Sequence, residues 1–281
     1  MLKKFYAQDT CFYNSMGVYS FEDRCEITKA AGYDATYLSV WDGRRWPEVH
    51  KLKTVKERYD LDVAGVYIVL NLALGAKSEA NTGIYQMLKV IPEGSTVELA
   101  IKTVGSLDPS SRVGDDIVVD WLQEALVIAQ HRNVRILIYS HYTHWSEKHD
   151  DALRICERIN HPNLGIVFCG YHWFAADGEN LAGTLKRSMP YLKQVNLSGA
   201  RKSPLGWGGS ATIETLDLGE MDNFALVALL NRLGYEGYLG WQGWGEGGDV
   251  FAKLERSLAA LKSMTARAIQ NPHWASYIDH A

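Results

Sequence analysis

The sequence predicts a single (β/α)8 barrel of the α/β class, and three observations carry that expectation. Short apolar runs alternate with amphipathic helical stretches from end to end, which implies βαβ units and a parallel sheet. The glycine-rich phosphate fingerprint of an open dinucleotide-binding sheet is missing, because Gln8–Gly17 holds a single glycine. The chain has 281 residues, which fits one barrel of about 250 residues with extensions. Residues 1–281 therefore read as one domain with a C-terminal tail over 270–281.

The elements follow in order. Lys4–Ala7 reads as the first strand, and Ser20–Ala31 as a helix capped by Ser20 with Glu22 and Asp23 in its first turn. Gly32 supplies the left-handed residue that ends it. A strand at Ala35–Val40 is followed by a helix at Trp46–Tyr59, and a strand at Val63–Val69 by a helix at Thr82–Val90. Thr96–Ile101 and Val134–Tyr139 are strands on either side of the helix Asp115–His131. The helix Glu147–Asn160, with Ser146 as its N-cap and Asn160 as its left-handed stop, precedes the strand Gly165–Cys169. Leu181–Ser188 is helical, Gln194–Leu197 extended, and Asn223–Leu233 helical with Gly234 at its end. Tyr238–Gln242 closes the set, and Val250–Arg267 is the last helix. Loops are expected at Leu74–Asn81, Leu107–Gly114 and Ala200–Thr212.

Composition narrows the function classes. Hydrophobic residues make up 47% and charged residues 22%, as in ordinary globular proteins. A net charge of −4 argues against nucleic acid as a partner, since that footprint is basic. No apolar run is long enough to span a bilayer, and the start MLKKFYAQDT has no apolar segment of a secretion signal. Four cysteines without CxxC pairing read as reduced thiols, and the expected compartment is the cytoplasm. Nine tryptophans and fifteen tyrosines fall largely in expected loops, where rings stack on apolar sugar faces.

Barrel chemistry sits at the C-terminal strand ends and the loops beyond them. The fifth strand there reads ILIYSHYTHW, the sixth GIVFCGYH, the seventh QVNLSGA and the eighth GYEGYLGWQGW. Together with LDLGEMDNFALVALLNRLGYEGYLG, these segments resemble the xylose isomerase-like barrels, a superfamily of sugar isomerases, epimerases and endonuclease IV relatives. The resemblance covers essentially the whole chain. It implies a divalent metal held by Glu, Asp, His and Glu at the positions of Tyr139, Cys169, Asn196 and Gln242. Those four are uncharged here, and Tyr37 stands where many relatives carry Glu. A hard divalent ion wants carboxylates, so neither metal nor other cofactor is expected. Asn196, Gln242, Tyr139 and Cys169 are instead expected to meet the hydroxyls of a substrate.

His172 and His141 match histidines of the family and are expected to transfer protons, imidazole being the natural acid and base near neutral pH. His144 is expected beside them at the substrate. Any one of these histidines is more often a hydrogen-bonded structural residue. Cys169 with these imidazoles also has a spacing that zinc accepts, although an inert buried thiol is commoner. Arg201 and Trp207 are expected to grip the substrate, and Glu246 to assist as a base. Asp249 reads as a helix-terminal charge. The expected activity is isomerase, epimerase or lyase chemistry on a sugar, keto-sugar or glycoside. The alternative is a non-catalytic carbohydrate-binding or regulatory protein of the same fold. A homo-oligomer contacting through the aromatic tail is one arrangement the sequence allows.

Overall fold

The computed structural model describes residues 4–13, 15–41, 43–103, 107–244 and 247–276. Eight parallel strands close into a barrel: β1 (Phe5–Ala7), β2 (Ala35–Ser39), β3 (Asp62–Asn71), β4 (Thr96–Lys102), β5 (Arg135–Tyr139), β6 (Leu164–Cys169), β7 (Leu192–Leu197) and β9 (Tyr238–Trp241). Phe5 pairs with Leu239 to close it. The outer ring comprises α1 (Phe21–Ala30), α2 (Val55–Tyr59), α3 (Glu79–Val90), α4 (Asp115–His131), α5 (His149–Ile159), α6 (Gly170–Ala175), α7 (Leu181–Ser188), α8 (Asn223–Arg232) and α9 (Val250–Gln270). Among the described residues no helix is long and apolar enough to cross a membrane.

Local signals explain most helix ends. Ser20 and Asp23 form a reciprocal capping box on α1, and Asp249 caps α9 through the Ala252 N–H. Gly32, Asn160 and Gly234 adopt positive φ at helix ends. Ser146 does not cap α5. That helix starts two residues later, behind Lys148, and the buried Ser146 hydroxyl donates to the Tyr139 carbonyl instead. Trp46–Thr54 is a 3-10 helix that becomes α-helical only at Val55. Glu79–Asn81 belong to α3 rather than to a loop, because Ser78 caps that helix and the Asn81 amide is committed to backbone. The loop expected at Ala200–Thr212 folds back on itself, with Lys202–Trp207 forming β8.

The apolar core lies between strands and helices, where alternate strand residues such as Val66, Ile68, Leu70 and Ile138 meet the helices. The barrel interior is different in kind, holding Tyr6, Tyr37, Glu98, Gln194 and Asn196. Two rings fit there because glycines face them. Tyr37 pairs with Gly65 and Tyr6 with Gly240 across adjacent strands. A Cβ on Gly240 would lie 2.2 Å from the Tyr6 ring. The two tyrosine rings stack at 5.7 Å.

In the described tail, Arg232 donates to the carbonyls of Pro272 and Ala275, and Trp274 stays exposed. Tyr277 lies outside the described residues.

Candidate active site

A cavity of about 520 Å³ opens at the C-terminal end of the barrel. Tyr139 and Gln242 line it at the ends of β5 and β9, with His141, His144, His172 and Trp207 from the following segments. Trp41 and Trp244 form part of the rim and meet edge to face at 6.2 Å. Six of the expected site residues therefore converge. Asn196 and Cys169 do not reach the cavity. Both are buried beneath it, where the Asn196 Nδ2 donates to the Cys169 sulfur at 3.8 Å. Arg201 points elsewhere, with an exposed side chain paired to Glu214 at 3.3 Å. Glu246 lies outside the described residues.

Three imidazoles stack along one wall. His141 is the middle ring, 3.8 Å from His144 and 4.0 Å from His172 between centroids. One backbone residue fixes the protons on two of them. The Tyr142 N–H donates to His172 Nδ1 at 3.2 Å, so the His172 proton is on Nε2. His141 Nδ1 donates to the Tyr142 carbonyl at 2.7 Å, which leaves the His141 Nε2 lone pair unprotonated. His172 Nε2 sits 3.4 Å from the Gln242 amide nitrogen, while the buried Gln242 Oε1 has no partner. With His172 Nε2 as donor, the amide atom that faces it is the Gln242 oxygen, and the NH2 takes the buried position without a partner among the described residues.

Burial pushes the His141 pKa down to about 4 and that of His144 to about 2, with further lowering of His144 by the His141 ring and of both by Lys102. Burial also holds His172 well below the usual imidazole range, helped by His141 and His144. All three rings are neutral at pH 7.

Beneath the cavity lies a polar network that sequence reasoning missed. Glu98 on β4 is fully buried and accepts from the Tyr37 hydroxyl at 2.5 Å, Gln194 Nε2 at 2.7 Å and Asn196 Nδ2 at 3.1 Å. Tyr6 in turn donates to Asn196 Oδ1. Burial raises the Glu98 carboxyl to about 7, against the hydrogen bonds that favour its anion. Burial likewise holds the Tyr139 hydroxyl and the Cys169 thiol protonated, with the Glu98 charge adding to both shifts. Asn71, Lys102 and Gln8 also line the cavity unforeseen. Strand alternation was the signal available for Glu98 and Lys102, which share the inward face of β4 with Ala100.

Comparison with known proteins agrees with this architecture. The family model described as xylose isomerase-like TIM barrel matches residues 25–264. None of the curated proteins matches the sequence. Among solved structures, a D-allulose 3-epimerase from Methylomonas sp. is 15% identical with a TM-score of 0.70, covering 93% of this chain and 98% of its own. An L-ribulose 3-epimerase is 12% identical with a TM-score of 0.72, covering 96% of each chain. A 3-keto-D-glucoside 4-epimerase from E. coli is 16% identical with a TM-score of 0.71, covering 93% of this chain and 100% of its own. At such identities the likeness speaks for the fold.

Proposed function

The chain belongs to the xylose isomerase-like TIM-barrel family, and from that premise we propose that it acts on a sugar or keto-sugar by metal-independent proton transfer. The observation that carries this reading is the His141 ring. Its Nδ1 is tied to a backbone carbonyl, its Nε2 lone pair is unprotonated, and it lines the cavity. His172, with both nitrogens engaged, positions His141 by stacking rather than carrying the proton.

A divalent ion does not fit the four strand-end groups. Tyr139 and Cys169 are held protonated. The Asn196 oxygen accepts from Tyr6, and Gln242 offers one neutral amide. Among the described residues no three His, Cys, Asp or Glu side chains converge as ligands. No step is therefore routed through a metal.

His141 Nε2 removes the proton on the carbon beside the substrate carbonyl, and the C–H electron pair passes into an enediolate. Return of that proton to the neighbouring carbon, with the hydroxyl proton passing from one enediolate oxygen to the other, completes an isomerisation. A β-substituent that departs with its electron pair and takes the proton from the His141 imidazolium completes an elimination. An imidazole whose pKa burial has lowered to about 4 is a weak base, so the reaction must be one whose proton the carbonyl already acidifies. One free base favours these outcomes over a two-base epimerisation. The depressed basicity of the stack equally favours the second reading, carbohydrate binding without turnover.

Incubation with keto-sugars in D2O separates the two. Deuterium should enter at the carbon beside the carbonyl, survive EDTA, and cease in His141→Ala. Exchange abolished by EDTA and restored by Mn²⁺ defeats the metal-independent reading. Binding without exchange leaves the non-catalytic one.

A further inference from the structure

The cavity wall is electrically one-sided. Its described lining holds no Asp or Glu, and its one lysine or arginine is Lys102. The imidazoles beside Lys102 are neutral, and its charge helps to keep His141 and His144 so. Lys102 ends β4 half-buried, and its side chain makes no hydrogen bond or ion pair to any described residue. Partners are not scarce in a chain of net charge −4. Lys4, Lys29 and Lys51 all sit within 2.9 Å of a carboxylate.

A second donor sits beside it. Asn71 is the register partner of Lys102 on β3 and also lines the cavity. The Ala73 N–H donates to Asn71 Oδ1 at 3.1 Å, so the main chain assigns the amide's two ends. The Asn71 NH2 is left as the end that donates to no described residue. An ammonium and an amide NH2 on adjacent strands, with the acceptor tied to backbone, make a receptor for an anion. The charge count sets which anion. One cation neutralises one carboxylate, whereas a phosphate dianion would leave a buried charge uncompensated.

We propose that the substrate of this site carries a single carboxylate, paired with Lys102 and accepting from Asn71 Nδ2. Its class is a polyhydroxy carboxylic acid, a sugar acid. The inference rests on the reading of the cavity as a sugar site and adds the charge of its occupant.

Titration calorimetry on the full chain tests it with aldonates and uronates, each beside its neutral parent sugar and the corresponding sugar phosphate. A charge-assisted pair is worth roughly tenfold to a hundredfold in affinity. The acids should lead the neutral sugars by that factor, and the lead should shrink in high salt. Lys102→Met keeps the aliphatic stem and removes the charge. Asn71→Asp keeps the oxygen that Ala73 needs and replaces the NH2. Each should erase the lead, with Tm reporting that the fold persists, and if one variant fails to fold the other decides. Equal affinity for neutral sugars overturns the inference and leaves the sugar reading standing. Tighter binding of phosphates, or a preference that survives both substitutions, also overturns it. If no probe binds, the inference falls together with the sugar reading.

Discussion

Tyr37 donates to the Glu98 carboxylate across 2.5 Å inside the barrel, where neither residue exceeds 2% exposure. The contact belongs to a network that also takes in Gln194, Asn196 and Tyr6, directly under the cavity. Burial makes that carboxyl keep its proton to higher pH than in the unfolded chain, against the surrounding donors, which favour its anion.

That difference sets a pH dependence. Burial raises Glu98 from 4.5 to about 7. Between those values the folded protein binds the extra proton, so its stability falls as pH rises through the window. The full effect is of order 3 kcal/mol. Urea unfolding of wild type and Glu98→Gln at pH 5 and pH 8 measures it. The variant should gain relative to wild type at pH 8, and an unchanged difference between the two pH values counts against the assignment.

The imidazoles give the opposite slope. His141 is depressed from 6.5 to about 4 by burial, so the stability associated with its neutral form is present above pH 6.5 and drains away as pH falls toward 4. Nitrogen-15 NMR of the ring should show His141 as the Nδ1–H tautomer and His172 as the Nε2–H tautomer at pH 7. His141 should titrate near 4, and His172 well below the usual imidazole range. A midpoint near 6.5 for either ring contradicts the geometry.

Arg24 is a structural cation in the shell around the cavity. It is 3% exposed, pairs with Glu48, and lies 3.8 Å from the equally buried Asp9. Asp9 accepts from the Ser39 N–H, which fixes β2 where Ser39 meets the cavity. Arg24→Met leaves that carboxylate uncompensated and should destabilise by about 3–5 kcal/mol. Adding Asp9→Asn should recover part of the loss in denaturant unfolding. Full additivity of the two changes would show that the pair is not coupled.

Much of the fold was legible because period and punctuation agree. Asp115–His131 and Leu181–Ser188 run as their apolar spacing dictates, and Gly32 and Gly234 stop helices where a positive φ is needed. Helix α6 was not legible, being six residues placed directly after β6 without a turn signal of its own. Within the site, strand-end positions located Tyr139, Gln242 and the imidazoles, because each lies on or just past a strand. Asn196 and Cys169 were misplaced for a matter of depth. Alternation gives the face of a strand, but not which layer of the barrel a side chain fills. Glu98 was passed over for a different reason: alternation sets it on the inward face with Ala100 and Lys102, but a carboxylate in TVELAIK reads locally as a solvent-facing residue.

The imidazole protons are dictated by the main chain of Tyr142, whose N–H serves one ring and whose carbonyl serves the other. The two bonds draw on the backbone of that residue, while its side chain packs against the apolar cluster beside the cavity. Proline alone, which lacks the N–H, would release His172 to choose its other tautomer.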